Sequence, residues 1–269
     1  MSDLLILAIA MLATGAVGGL LAGLLGIGGG IIIVPALDAA LSVVGVDPSI
    51  RMHIAVATSL ATIIPTSIAA ARAHRKHDSV DVDLFKRWGA YVLIGSLLGT
   101  WIAAQMRSND LAMVFATFAL LVAIKLMLPF PGKSKHDKVP EGPFILVIPT
   151  SIGALSSMLG IGGGTLSVAA MTFFNQPIHK AVGTASLFGL AISLPGTIGF
   201  MLLGMNDTRL PIGNFGYVNL IGFALISPMT VMTAPLGAAI AHRLSQRHLS
   251  LVFGVFLLAM SVRMAWRAF

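Results

Sequence analysis

Leu4 to Leu25 is an almost unbroken apolar run, and comparable runs recur along the whole chain. About 20 apolar residues suffice to cross a hydrocarbon layer roughly 30 Å thick, whereas a helix buried in a soluble core seldom needs more than 10 to 14. With 57% hydrophobic and 10% charged residues among 269, the chain has too little polar surface for a water-soluble domain. Lipid cannot satisfy backbone N–H and C=O groups, and the runs lack the period-two alternation of barrel strands, so each crossing is predicted to be helical. The fold class read from the sequence is an all-α polytopic membrane protein with about 8 to 10 apolar helical segments.

Several functions are excluded or weakened at this point. Cysteine is absent, which removes disulfides, thiol nucleophiles and thiolate metal sites. The formal charge of +7 comes mainly from basic residues in short loops, where the positive-inside rule accounts for them without a nucleic-acid partner. The start, Met1-Ser2-Asp3, lacks a basic n-region, so Leu4–Leu25 is read as a retained first span rather than a cleaved signal.

A self-comparison is more informative. Leu25-Gly26-Ile27-Gly28-Gly29-Gly30 returns as Leu159-Gly160-Ile161-Gly162-Gly163-Gly164, 134 positions later. His53, Ala55-Val56 and Thr58 are answered by His179, Ala181-Val182 and Thr184, and Leu98-Gly99 by Leu236-Gly237. The chain reads as an internal duplication: a first transmembrane repeat over 1–130, a linker over 131–142 and a second repeat over 143–269. The linker is rich in proline, glycine and lysine, and the loop from Arg72 to Arg87 carries five basic residues. Both are placed in the cytoplasm, with the turn near Arg107 outside. The second element of each half is short. Thr165 to Phe174 would rise only about 15 Å, which marks it as part of a broken or re-entrant element. An even number of crossings per half gives parallel repeats and an odd number inverted ones. Basic residues divide equally well between the two sides in either arrangement, so charge does not choose.

Three glycines in succession after an apolar helix permit positive φ, remove side chains and bare N–H groups, which together can cradle an anion. A helix starting immediately afterwards adds its positive dipole end. Gly28, Gly29 and Gly30, with Gly162, Gly163, Gly164 and Thr165, are therefore candidate substrate-binding residues facing one another between the repeats. The competing reading is close helix packing, which Gly15, Gly19 and Gly23 at spacings of four illustrate. A dinucleotide-binding loop does not fit, because a helix rather than a strand precedes the glycines. Thr58, Ser59, Thr184 and Ser186 can offer hydroxyls to anion oxygens, or bond their own backbone. Asp38, His53 and His179 are candidates for proton coupling; each also has an interfacial reading.

The residues Gly23-Leu24-Leu25-Gly26-Ile27-Gly28-Gly29-Gly30 with Pro35, Ala57-Thr58-Ser59, Gly160-Ile161-Gly162-Gly163-Gly164, Gly183-Thr184-Ala185-Ser186 and Pro235-Leu236-Gly237 resemble the TauE/SafE family of sulfite-exporter-type anion permeases. The resemblance spans nearly the full length; Ala169 stands where the first half has Pro35. It implies a secondary transporter of the cell inner membrane that moves sulfite, a sulfonate or another small organosulfur anion, with membrane lipid around it, a coupling proton or ion, and no cofactor, metal or catalytic residue. The alternatives are a passive anion channel or a membrane-embedded enzyme. The enzyme lacks its signatures, since the chain has no His-Glu-x-x-His, no Gly-x-Ser-x-Gly and no glutamate in an apolar segment.

Overall fold

A computed structural model describes residues 2–25, 29–75, 79–128, 144–241 and 246–268. The linker 131–142 and Gly28 lie outside the described residues. The first five helices are α1 (Ser2–Leu25), α2 (Gly30–Val43), α3 (Pro48–Arg75), α4 (Val82–Gln105) and α5 (Ser108–Met127). They are followed by α6 (Phe144–Leu159), α7 (Gly164–Phe173), α8 (Ile178–Gly204), a short antiparallel hairpin of β1 (Asn214–Phe215) and β2 (Val218–Asn219), α9 (Leu220–Ala241) and α10 (Gln246–Ala268). Among the described residues, four stretches are long and apolar enough to cross a membrane on their own: Pro48–Arg72, Ser108–Met127, Ile178–Gly204 and Leu220–Gly237. The protein is a multi-pass membrane protein, and Leu121, Trp101, Leu202 and Val252 point outward where a soluble protein would carry polar groups.

Local chemistry sets the helix starts. Pro48 opens α3, where a missing N–H costs nothing, and the Asp47 carboxylate accepts the Ser49 N–H at 2.8 Å. Asp81 caps α4 by accepting the Leu84 N–H at 2.9 Å.

Helix contacts follow small residues. Gly15 and Gly19 of α1 meet Ile226 and Thr230 of α9, so these two helices run in the same direction. Gly95 and Gly99 of α4 meet Thr150 and Ala154 of α6, again in the same direction. A lipid-embedded interface has no hydrophobic drive of its own and gains from such close backbone approach. The central pair runs oppositely. Leu60 of α3 faces Gly196 of α8, Ser67 faces Gly189, and His74 faces Gly183. α5 and α10 are likewise antiparallel, with the Ser261 hydroxyl donating to the Ala116 carbonyl at 2.8 Å. α3 and α8, and α5 and α10, thus run in opposite directions. We call inner the end that carries Arg72, Arg75, Lys86 and Arg87, and outer the end that carries Arg107.

Candidate functional site: a cavity between two broken helices

α1 stops at Leu25 and the chain resumes as α2 at Gly30, whose first turn is closed by Ile32 and Ile33 N–H groups donating to the Gly29 carbonyl at 3.0 and 2.9 Å. α6 stops at Leu159 and resumes as α7 at Gly164. In this second break Gly160, Gly162 and Gly163 have φ of +66°, +58° and +73°, a region that side-chain-bearing residues enter only with strain. The two breaks touch backbone to backbone: a Cβ placed on Gly30 would lie 2.6 Å from Ile161 Cα. The Ser59 hydroxyl pins the contact by donating to the Gly160 carbonyl at 2.7 Å.

Beside this contact is a cavity of about 490 Å³. Gly29, Gly162 and Gly164 of the two breaks line it, with α3, α8 and α9 as the other walls. It lies toward the inner end, where His74, Val182 and Pro235 reach its wall. Among the described residues the lining is apolar apart from the hydroxyls of Thr66, Ser67, Ser186 and Thr230, the His74 ring and the glycine backbone, with no lysine, arginine or carboxylate on it. Such a wall can recognise an oxyanion through neutral donors and hold an apolar body against Ile33, Ile63 and Val231.

The candidates drawn from sequence fall into three groups. Gly29, Gly162, Gly164 and Ser186 face the cavity, the Ser186 hydroxyl donating to the Gly183 carbonyl at 2.6 Å. Gly30, Ser59, Gly163, Thr58 and Thr184 are buried behind it. Thr58 accepts the Asn219 N–H at 2.9 Å, which ties α3 to the start of α9, and Thr184 accepts the Asp81 N–H at 2.8 Å, which ties α8 to the cap of α4. Thr165 sits in the first turn of α7, off the cavity wall.

The titratable candidates lie elsewhere. Asp38 is 1% exposed and ion-paired with Arg51 and Arg267 near the outer end. His53 is buried near the outer end, its Nε2 3.1 Å from the carbonyl oxygens of Ala103 and Met106 and its ring stacked on Tyr217. His179 is exposed at the inner start of α8. Thr66, Ser67, His74 and Thr230 were not singled out from sequence. Thr66-Ser67 follow Pro65 as Gly196-Thr197 follow Pro195, a parallel that marks them in retrospect.

The model of the sulfite exporter TauE/SafE family matches residues 11–264. The chain belongs to the TauE/SafE family. A "Probable membrane transporter protein" of Haemophilus influenzae is 30% identical over 253 residues, which cover 94% of this chain and 96% of the relative. YunE of Bacillus subtilis, another "Probable membrane transporter protein", is 25% identical, covering 95% and 96%. MJ0441 of Methanocaldococcus jannaschii, described in the same words, is 28% identical, covering 97% of each chain. No solved structure matches. The family is one of membrane transporters rather than enzymes.

At the outer end this TauE/SafE protein carries a cluster of polar and aromatic contacts. Arg209, in the loop after α8, pairs with Asp207 at 2.6 Å and donates to the Ser49 hydroxyl at 2.9 Å, bridging that loop to the first turn of α3. Tyr217 donates to Asp207 at 3.1 Å and carries the His53 and Phe200 rings against it. The Arg209 guanidinium holds the Asp207 carboxyl down at about 2, with the Tyr217 hydroxyl assisting. Burial, then the Asp207 carboxylate, pushes the Tyr217 phenol up, and hydrogen bonds from Ser49 lower Asp47.

Proposed function

We propose that this TauE/SafE transporter is a secondary carrier for a small anion, with sulfite, a short sulfonate or another organosulfur anion as the substrate class, and that the anion binds in the cavity between the two glycine breaks. The observation that carries the reading is the cavity itself. It joins the first turns of α2 and α7 to hydroxyls of α3, α8 and α9 on an otherwise apolar wall. Gly29, Gly162, Gly164, Ser186, Thr66, Ser67 and Thr230 are the proposed contacts; Gly30, Gly163, Thr58, Ser59, Thr165 and Thr184 support them. A wall whose described residues carry no fixed cation suits an anion that is held weakly enough to leave, and about 490 Å³ has room for an organic body as well as an oxyanion head.

The halves over 1–130 and 143–269 are proposed to be inverted repeats, which the opposite directions of α3 and α8, and of α5 and α10, support. The excess of arginine and lysine at the inner end supports a cytoplasmic cavity in the inner membrane. In this reading the outer cluster around Tyr217 is the closed side of an alternating-access cycle.

The test is flux of radiolabelled sulfite, thiosulfate and a short sulfonate in proteoliposomes. Saturable flux of one anion is expected, and Gly163→Val should remove it while the protein still inserts, because a β-branched residue resists a φ of +73°. No flux of any of the three from folded protein would overturn the organosulfur reading.

A further inference from the structure

We propose that the second glycine break binds a monovalent metal cation, sodium, as the coupling ion, held between the end of α6 and the hydroxyls of Ser156 and Ser167. The proposal rests on the transport reading and adds a second ligand to it.

Ser156 and Ser167 are each 0% exposed, and neither hydroxyl has a hydrogen-bond partner among the described residues. A buried hydroxyl left unpaired costs about 1 to 3 kcal/mol, so two of them side by side point to a ligand. They flank the break, Ser156 in the last turn of α6 and Ser167 in the first turn of α7. Both also lie beside Gly163. A Cβ placed there would be 3.5 Å from the Ser167 Oγ and 3.6 Å from the Ser156 Oγ, and it would overlap the Ile192 side chain.

The backbone there suits a cation. The Gly160 and Ile161 N–H groups fold back onto the Ser157 and Ser156 carbonyls at 3.3 and 3.1 Å. The carbonyls of Met158 and Leu159 are bonded to no backbone N–H among the described residues. They lie at the negative end of the α6 dipole. Transporters with broken helices hold anions at half-helix N-termini and cations at unwound carbonyls and half-helix C-termini. Here one break offers both ends, α7 toward the cavity and α6 toward the two serines.

The donor set also selects the charge. Neutral hydroxyl and carbonyl oxygens lack the carboxylates that divalent cations need to offset their dehydration, and a hydroxyl neither gains nor loses a proton near neutral pH. The first break does not repeat the site, because the residues 134 positions earlier are Ala22 and Ile33. One ion per chain follows.

The measurement is ²²Na⁺ binding to the purified full-length protein in detergent, with choline as the replacing cation. Saturable binding is expected. Ser156→Ala and Ser167→Ala should each weaken it at least tenfold without loss of helicity or monodispersity, since each removes an unpaired group. Thr100→Ala, which removes another unpaired hydroxyl against Gly196, should leave it within twofold. Absence of saturable ²²Na⁺ binding by folded protein, or native-like binding by both serine variants, overturns the proposal and leaves water as the partner of these hydroxyls. Anion flux without sodium binding removes this proposal alone; sodium binding without flux of any anion removes the transport reading alone.

Discussion

The inner and outer halves of the molecule are built on different physics. Around the inner cavity the walls are apolar residues and neutral hydroxyls, and the close contacts are made by glycines. At the outer end the contacts are ionic and aromatic: Asp38 with Arg51 and Arg267, Asp207 with Arg209, and the rings of His53, Tyr217 and Phe200. In the proposed cycle, neutral contacts release the anion readily, whereas a few directional ones hold the outer end shut and let go as a unit.

That contrast can be broken at its strongest point first. Asp38→Ala leaves the Arg51 and Arg267 guanidiniums without their carboxylate, and removing one member of a buried pair costs about 3 to 5 kcal/mol. The expected result is a sharp fall in folded yield by fluorescence-detected gel filtration; unchanged yield would mean that the outer ionic contacts do not support the fold. Arg209→Ala is smaller in effect, because half of its side chain is in solvent. With no native cysteine, a single Thr197→Cys reporter can be followed with a membrane-impermeant thiol reagent. Labelling from the outer side should rise several-fold in the Arg209→Ala background, and equal labelling would show that the Arg209 bridge is not what closes this end. The smallest expectation concerns pH. The Asp207 carboxyl is depressed from 3.8 to about 2, so its contribution is complete above pH 4 and fades as pH falls through that interval toward 2. Reporter labelling, divided by that of the same cysteine in unfolded protein to remove the pH dependence of the thiol itself, should therefore be flat between pH 5 and 8; a step in that range would place control of the outer end with another group.

Much of the frame was legible in the residues. The apolar runs, the doubled Gly-Ile-Gly-Gly-Gly and the short Gly164–Phe173 element are local features, and local features survive translation into structure. Helix direction was not legible from charge, since either arrangement puts the same excess of basic residues on one side. It emerges from contacts such as Ser67 with Gly189, which join residues more than a hundred positions apart. The same distance explains the site. Thr58 and Ser59 looked available to a ligand, yet their partners, the Asn219 N–H and the Gly160 carbonyl, come from the other half. Thr230 entered the cavity from α9 with no neighbouring motif to mark it. A hydroxyl in a membrane helix shows what it can bond, and the fold decides with whom.

The pairing of α1 with α9, and of α6 with α4, has a consequence for biosynthesis. When α1 leaves the ribosome, the surface that will receive Gly15 and Gly19 is about 210 residues from being made. α6, by contrast, finds α4 already in the bilayer. Beyond α2, whose Ile33 meets Gly18, the first helix must wait for its main partner until almost the whole chain has been inserted: the last third of the polypeptide completes the first.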